Sequence, residues 1–370
     1  MRIAAFNVEN LFDRARIMNL DTWEDGRPVL EAFAEFTDLL ERDVYDAPTQ
    51  ARLADLLVTL GLAKDDMGPF VILRRNRGGL LTRRKDGTIV IKAKGRGDWI
   101  GWAELRNAPV NETAILNTAR VIADVGADIL AVVEAEDRVA LRAFSEDLLP
   151  RVGGVPYPHI MLIDGNDRRG IDVGLMTRAG FQIGLMRSHV HHGLPGRTTF
   201  GRDCPEYQVT TPAGEVIWVL PCHFKSKGYG NPRDNDARRK REAAAAAGFV
   251  TRLLAEGAQN VVVLGDLNDT PGSDPLSPLF GHPALHDVGT VAGFDTAGHP
   301  GRGTRKLGND SDQIDHILVS DALWPRVTGA GLFRKGAWAG SRPRRWQIYD
   351  TITSEIHAAS DHHAIWVDIA

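Results

Sequence analysis

Residues 261–271 read VVVLGDLNDTP, four aliphatic residues followed by glycine and then by acidic and amide side chains. The run is short, rich in β-branched residues and bounded by turn formers, which predicts a buried strand over Val261–Leu264. Asp266 and Asn268 then lie at the end of that strand. A carboxylate at the edge of a hydrophobic core is costly unless it is paired or binds a cation, so this strand end is a candidate site.

The same arrangement recurs along the chain, because polar side chains directly follow or precede other apolar runs. These residues are Asn7, Glu9, Glu134, His223, Asp315, Asp361 and His362. We expect the strand ends to converge on one cleft. So many carboxylate and amide oxygens favour a hard divalent cation, either Mg²⁺ or Mn²⁺.

Apolar runs alternate with helical patterns, which is typical of an α/β protein. Further strands are predicted at Ile3–Val8, Ile129–Val133, Asp172–Thr177, Val216–Cys222, Ile314–Val319 and Ala364–Ile369. Helices are predicted at Val29–Glu41, Thr49–Leu60, Asn111–Val125 and Asp234–Glu256. We interpret residues 1–370 as a single domain with an insertion at about 14–107.

The predicted insertion carries a basic β-hairpin. Its segment LLTRRKDGTIVIKAK has a Lys85-Asp86-Gly87 turn between two apolar flanks. Nine basic residues and one acid, Asp86, lie between Arg74 and Arg96. Two interpretations stay open for this hairpin: a solvated face, or a grip on a phosphate backbone, with Trp99 and Trp102 available to stack on bases.

The composition argues against several other classes of protein. The chain has only two cysteines, Cys204 and Cys222, so a disulfide framework is not expected. No apolar run approaches the roughly 20 residues of a membrane span, and we expect a cytoplasmic location. The net charge of −4 argues weakly against a protein that coats nucleic acid by bulk charge, but a nuclease remains possible.

Seven motifs in order resemble those of the endonuclease/exonuclease/phosphatase superfamily. They are FNVENLF, ILAVVEAEDR, RGIDVGLM, PCHFKSK, VVVLGDLNDTP, QIDHILVS and ASDHHAIW, which together extend from residue 6 to residue 366. The resemblance implies a four-layer α/β sandwich, with two mixed β-sheets packed face to face and helices outside. It also implies a metal-dependent phosphoesterase that forms no covalent intermediate.

The resemblance assigns roles residue by residue. Glu134 resembles the metal-binding glutamate, with Glu9 and Asn7 in the same coordination sphere and Asp361 touching a metal or its surroundings. Asp266 and Asn268 match the pair that positions the attacking water and a phosphate oxygen. His362 resembles the histidine on the nucleophile side and Asp315 the carboxylate that orients its ring. His223 resembles the histidine that donates to a non-bridging phosphate oxygen.

Two positions depart from the family pattern. Val133 stands where the family usually has Gln before the metal-binding glutamate. Cys222 stands where the family more often has Asn, which leaves the hydrogen bonding behind His223 in question. Whether Asp266 or the His362–Asp315 pair accepts the proton of the water stays open, as does the number of metal ions.

Four further residues are candidates for substrate binding. Lys225 and Ser226 follow His223 directly, and Arg169 and Asp172 stand in DRRGIDVGLM, where a structural role is equally expected. The first functional hypothesis is a nuclease acting on DNA or RNA phosphodiesters. The alternative is a phosphatase or phosphodiesterase for a small phosphorylated metabolite or lipid headgroup, which would share every catalytic residue.

Overall fold

The computed structural model describes residues 1–9, 15–20, 23–107, 111–167, 169–194, 197–228, 231–341 and 343–370, without the side chains of residues 18, 19, 23 and 24. Residue 14, where the predicted insertion begins, and residues 10–12 of the first motif lie outside this part. The chain forms two compact units: a larger one of Met1–Phe12 and Asn111–Ala370, and a smaller one of Asp13–Val110.

The larger unit contains most of the strands. They are β1 (Arg2–Asn7), β6 (Ile129–Ala135), β7 (His159–Leu162), β8 (Asp172–Thr177), β9 (Gln182–Arg187), β10 (Gly193–Leu194), β11 (Arg197–Thr198), β12 (Glu206–Thr210), β13 (Val216–His223), β14 (Asn260–Asp266), β15 (Leu285–Asp287), β16 (Asp315–Ser320), β17 (Val327–Phe333) and β18 (Ala364–Ile369). Its helices are α3 (Glu112–Val125), α4 (Arg138–Ala143), α5 (Pro232–Ala255) and α6 (Ser277–Phe280).

Two six-stranded mixed sheets form the centre of the larger unit. Their orders are β17-β18-β1-β6-β8-β7 and β15-β16-β14-β13-β12-β9. In the first sheet β1 pairs in parallel with β6 and antiparallel with β18. In the second, β13 pairs in parallel with β14, which pairs antiparallel with β16. Both parallel pairs are buried, as expected of strands that read as continuous aliphatic runs.

The sheets pack face to face because alternate strand residues point to a shared apolar core. Ile3 of β1 and Ile129 of β6 meet Val219 of β13 and Val262 of β14 there, all fully buried. The opposite faces bury α3 against the first sheet and α5 against the second. The predicted four-layer α/β sandwich is therefore confirmed.

Capping residues and glycine or proline set the ends of the helices. The Asn111 side chain accepts from Thr113 N and Ala114 N at the start of α3, and Gly126 ends that helix with a φ of 60°. Helix α5 begins with Pro232 after the Asn231 cap. Among the described residues, none of the helices is both long and apolar enough to cross a membrane.

The smaller unit has its own apolar core. It comprises α1 (Trp23–Leu40), α2 (Ala47–Thr59), the paired strands β2 (Val71–Gly78) and β5 (Trp99–Leu105), and the hairpin β3 (Leu81–Arg83) and β4 (Ile89–Ile91). The expectation that Trp99 stacks on bases is wrong, because Trp99 is 2% exposed and donates from its indole nitrogen to Tyr45 Oη at 3.1 Å. Trp102 is 49% exposed.

Candidate active site

The ends of β13, β14 and β16 bring three predicted catalytic residues side by side. In the sheet register His223 lies opposite Asp266, and Asp266 lies opposite Asp315. Gly265 precedes Asp266 with a φ of 128°, and a Cβ there would lie 2.2 Å from the Cys222 carbonyl oxygen. Only glycine allows the two strands to approach this closely, which explains the glycine of the GDLND motif.

Side chains from the two sheets meet at these strand ends. Asn7, at the end of β1, donates from Nδ2 to Asp266 Oδ2 at 3.2 Å. His223 Nε2 lies 3.7 Å from Glu134 Oε1 and 3.7 Å from Asp266 Oδ2. The structure therefore places Asn7, Glu134, His223 and Asp266 around one point, as the convergence of strand ends predicts.

His362 completes the cluster from the segment before β18. Its Nδ1 lies 2.8 Å from Asp315 Oδ2, which also accepts from the Thr304 hydroxyl at 2.7 Å. Its Nε2 lies 3.9 Å from Asp266 Oδ2. A ring whose Nδ1 is held by a carboxylate presents Nε2 in a fixed direction, which suits proton transfer.

Three of the site residues have left-handed backbone conformations. The φ angles are 53° at Glu9, 67° at Glu134 and 56° at Asn268. Glu134 lies at a register shift between Val133 and Ala135, where β6 pairs with β8. Asn268 N donates to Asp266 Oδ1 at 2.9 Å. Such conformations are costly for residues with a Cβ and concentrate at functional positions.

Burial and neighbouring charges strongly perturb the titration of the cluster. Burial, together with the negative charge of Asp315, raises the pKa of Asp266 to about 7. Burial opposes a charge on His362, but the negative charges of Asp315 and Asp361 outweigh it and raise the pKa to about 10. Burial and the positive charges of Arg202 and Arg169 hold the pKa of His223 well below its ordinary value.

The donor set suits a divalent cation. Among the described residues, neither Glu134 nor Asp266 has a Lys or Arg within salt-bridge distance, and the basic side chains that lie near them are those of His223 and His362. Asp266, Asp315 and His362 also place potential ligand atoms within 4.8 Å of one another. Carboxylates concentrated in a buried site need protons or cations for stability, and oxygen donors of this kind fit Mg²⁺ or Mn²⁺.

Glu9 and Asp361 lie beside the cluster. Glu9 accepts from Asp361 N at 3.0 Å, and its own N donates to Asn7 Oδ1 at 3.0 Å. Asp361 Oδ2 accepts from Arg305 Nε at 2.8 Å, while Oδ1 lies 3.7 Å from His362 Nε2. One oxygen of Asp361 is therefore engaged by a guanidinium, and the other faces the cluster.

The four candidate substrate-binding residues lie in other surroundings. Ser226 Oγ accepts from Gly228 N in a turn. Lys225 lines a separate cavity, and its N donates to Glu242 Oε2 at 2.7 Å. Arg169 forms an ion pair with Asp167 at 2.8 Å. Asp172 Oδ1 accepts from Gly165 N at 2.9 Å, which braces the loop before β8.

The presence of Cys222, where the family more often has Asn, is reflected in the hydrogen bonding of His223. Among the described residues His223 Nδ1 has no hydrogen-bond partner although it is buried, while Cys222 Sγ faces the Leu220 carbonyl oxygen at 3.6 Å. The ring of His223 is therefore oriented by packing.

Three residues that support the site were not predicted. Ser360 donates to the Asn7 carbonyl oxygen at 2.7 Å and accepts from His362 N at 2.9 Å, which joins the two ends of the chain. Thr304 binds Asp315, and Arg305 binds Asp361. Ser360 stands inside ASDHHAIW and was within reach of sequence reasoning. Thr304 and Arg305 stand in a glycine-rich loop that carries no motif signal.

Comparisons with known proteins agree with this geometry. The sequence profile described as Endonuclease/Exonuclease/phosphatase family matches residues 107–362. No curated protein matches the sequence. Among solved structures, a mannosyl-6-phosphatase from Bacteroides thetaiotaomicron is similar with a TM-score of 0.50, 15% identity, and 70% of this chain and 90% of that chain covered.

Two further solved structures are similar to this chain. An endonuclease/exonuclease/phosphatase family protein from Bacteroides thetaiotaomicron has a TM-score of 0.50 and 17% identity, with 69% of this chain and 84% of that chain covered. Sphingomyelinase C from Streptomyces griseocarneus has a TM-score of 0.45 and 16% identity, with 68% and 91% covered. At these identities the likeness concerns the fold alone.

Proposed function

The chain belongs to the Endonuclease/Exonuclease/phosphatase family and is a phosphoesterase of that family, and we propose that it is a metal-dependent nuclease. In this proposal it hydrolyses DNA or RNA phosphodiester bonds by in-line attack of water. The observation that carries the proposal is the single cluster formed by Glu134, His223, Asp266 and His362, with His223 Nε2 3.7 Å from Asp266 Oδ2 and His362 Nε2 3.9 Å from it.

The residues of the cluster divide the work of hydrolysis. Water is held beside Asp266 and His362, and its proton passes to Asp266, whose pKa of about 7 leaves part of it ionised at neutral pH, while Asp315 holds the protonated ring of His362 in place. His223, on the other side of Asp266, donates from Nε2 to a non-bridging phosphate oxygen. Asn268 contributes a further polar group at the same strand end. No side chain of the cluster needs to act as a covalent nucleophile.

Glu134, Glu9 and Asn7 would hold the cation, with Asp361 beside them. When bound there, Mg²⁺ or Mn²⁺ supplies a Lewis acid that neutralises charge on the phosphoryl and leaving-group oxygens. Asn7 donates to Asp266, and Glu134 Oε1 lies 3.7 Å from His223 Nε2, so both side chains already face the cluster.

The smaller unit supports nucleic acid over a small phosphoester. Arg75, Arg77, Arg84, Lys85 and Lys92 are all exposed on and beside its hairpin. An exposed basic face of this kind is the electrostatic footprint of phosphate-backbone binding. We further propose that this unit is an insertion within one catalytic domain. A cytoplasmic location remains part of the proposal, and it rests on the low cysteine count.

Plasmid nicking tests the proposed function. Supercoiled plasmid incubated with the protein and Mg²⁺ or Mn²⁺ should be nicked, and chelator or His362→Ala should abolish nicking. A panel of small phosphomonoesters and phosphodiesters is assayed in parallel. Turnover of the small esters without nicking would replace the nuclease with the alternative phosphatase or phosphodiesterase.

Charge reversal tests the basic face. Arg84→Glu with Lys85→Glu should weaken binding of a fluorescent oligonucleotide and reduce its salt dependence. Arg83 is left unchanged because it is bound to Asp66 at 2.7 Å. Arg151→Glu, an exposed reversal in the larger unit, serves as the matched control. Equal affinities for wild type and the hairpin variant would assign the basic face to solvation.

A further inference from the structure

A cavity with cationic walls lies in the larger unit, near the end of β13. It has a volume of about 430 Å³, and residues from three segments of the chain line it. Arg197 comes from β11, Lys225 follows β13, and Arg238 and Arg241 lie one turn apart in α5. Residues three apart in a helix share a face, so both α5 guanidiniums can reach the same ligand.

Positive charge exceeds negative charge in this cavity. Asp234 is the one carboxylate among its described lining residues. Glu242 lies beneath, fully buried, and accepts from Gly201 N and Lys225 N. Arg238 Nε lies 3.5 Å from Glu242 Oε1. This nitrogen atom is buried and, within the described part of the chain, has no hydrogen-bond partner.

The cationic groups repel one another. Burial and the positive charges of Arg197 and Arg238 lower the pKa of Arg241. Burial and the positive charges of Arg202, Arg169 and Arg238 lower the pKa of Lys225 to about 8. Like charges held together this way favour an anion, and guanidinium groups suit phosphate oxygens because they donate in pairs.

Residues of the cavity wall are linked to the candidate active site by the chain and by hydrogen bonds. Lys225 is two residues beyond His223. Its N–H donates to Glu242, and its carbonyl oxygen accepts from Arg239 Nη1 at 2.8 Å. Arg239 is itself fully buried and donates from Nε to Asp269 at 3.0 Å, just past Asp266 and Asn268. These contacts tie the wall of the cavity to the strand ends that carry His223 and Asp266.

We propose that this cavity binds a second phosphate group of the substrate, adjacent to the phosphate that is hydrolysed. The inference rests on the proposed phosphoesterase function and narrows its substrate class to compounds that carry at least two phosphates. The second phosphate can belong to the next nucleotide of a nucleic acid or to a small bisphosphorylated compound. In both cases the recognised chemistry is the same: anionic oxygens that accept from Arg197, Arg238 and Arg241.

The test compares matched substrates that differ by one phosphate. The nucleotide pair is the dinucleotide dTpdT and its 5′-phosphorylated form, and the small pair is fructose 6-phosphate and fructose 1,6-bisphosphate. Bis(p-nitrophenyl) phosphate, with a single phosphate, reports on hydrolysis alone. The variants are Arg197→Gln with Arg241→Gln, and the control Arg233→Gln, an exposed change in α5 outside the cavity. Arg197 and Arg241 are exposed, so both variants should fold, which thermal melting checks.

For wild type, kcat/KM should be higher for the doubly phosphorylated member of at least one pair, and that pair identifies the source of the phosphate. In the double variant this preference should fall about tenfold or more, because two charge-assisted contacts are removed. Turnover of bis(p-nitrophenyl) phosphate should be unchanged, as should all kinetics of the control. Absence of a preference in both pairs, or an equal loss on every substrate, would overturn the inference.

A binding measurement separates this inference from the proposed function. Calorimetric titration with inorganic pyrophosphate in the presence of EDTA should show binding to wild type and to Arg233→Gln, and about tenfold or more weaker binding to the double variant. If no phosphoester is hydrolysed but this pattern holds, the proposed function fails and the anion site stands. Equal binding by all three proteins would refute the anion site.

Discussion

At the scale of single residues, the site depends on hydrogen bonds that hold charged side chains in place. Thr304 is the clearest case, since its hydroxyl donates to Asp315 Oδ2 and accepts from Ile314 N and Asp315 N. Asp315 in turn holds His362. Thr304 touches neither Asp266 nor the place of the phosphate, so it is a positioning residue.

Thr304→Val should lower kcat by about tenfold with KM nearly unchanged, because it removes the hydrogen bonds that fix Asp315, to its Oδ2 and from the backbone N–H of Ile314 and Asp315, without altering the binding surface. Thr304→Ser, which keeps the hydroxyl, should restore kcat and the pH–rate profile. Steady-state kinetics on bis(p-nitrophenyl) phosphate from pH 5 to 9 measure both. If Val and Ser at this position behave alike, the hydroxyl has no positioning role.

Asp172 illustrates a residue whose chemistry serves the fold. Burial and the negative charges of Asp167 and Asp164 raise the pKa of Asp172 to about 7. A carboxyl whose pKa is raised in the folded state binds more protons folded than unfolded between its two pKa values. The free energy of unfolding should therefore fall as pH rises from about 4 to about 7.

Asp172→Asn should remove this pH dependence, since the amide oxygen still accepts from Gly165 N and carries no charge. Relative to the variant, wild type should lose on the order of 3 kcal/mol of unfolding free energy across that range. Denaturant unfolding at pH 4, 5.5 and 7 measures it. If the free energies of unfolding of the two proteins change with pH in the same way, the pKa of Asp172 is not raised in the folded state.

At the scale of elements, the side chains of the candidate active site lie where strands end or become irregular. β6 carries Glu134 in a left-handed conformation at a register shift. In a regular strand, the side chain of Glu134 would point to the face of the sheet opposite to that of Val133 and Ala135. The irregularity lets a carboxylate leave the buried sheet and face His223, at a cost of roughly 1–2 kcal/mol in backbone strain.

Glu134→Gly should therefore be more stable than the isosteric Glu134→Gln by about 1 kcal/mol, although both should lack activity. Thermal and urea unfolding of the two variants measure the difference, and plasmid nicking measures activity. Lower stability of the glycine variant would mean that the side chain of residue 134 packs usefully and that its backbone is not strained.

The same element-scale view explains what the sequence could predict. The predicted strands at Asp172–Thr177 and Ala364–Ile369 match β8 and β18, since both are continuous apolar runs beside a motif. β9 (Gln182–Arg187) was missed because it lies at a sheet edge, mostly exposed and with Gly184 inside it. Arg305 was missed because its partner Asp361 lies 56 residues away, and no local pattern encodes such a contact.

At the scale of the whole molecule, overall charge and local charge point in different directions. The chain has a net charge of −4. Yet basic residues gather on the smaller unit and in the cavity beside α5, and acidic residues gather at the strand ends. The sign of the local charge therefore matters more than the net charge of the chain for the recognition of phosphate. For this reason the net charge leaned away from nucleic acid while the basic hairpin leaned toward it.

Cation binding should be visible in the stability of the entire protein. Millimolar Mg²⁺ or Mn²⁺ should raise the Tm of wild type by a few degrees, because a ligand that binds only the folded state stabilises it by about 2.7 kcal/mol at a hundredfold excess over Kd. Excess EDTA should reverse the shift, and Glu134→Gln should lack it. A shift of equal size in Glu134→Gln would place the cation elsewhere.

The contact between Ser360 and the Asn7 carbonyl oxygen spans 353 residues of sequence. Asn7 and Glu9 are translated long before Asp361 and His362, since 352 residues separate Glu9 from Asp361. A nascent polypeptide, or one truncated by a premature stop codon before residue 360, thus lacks the histidine that Asp315 orients. The cluster around Asp266 is therefore completed only when the last of its members, His362, has been synthesised and has folded against the first.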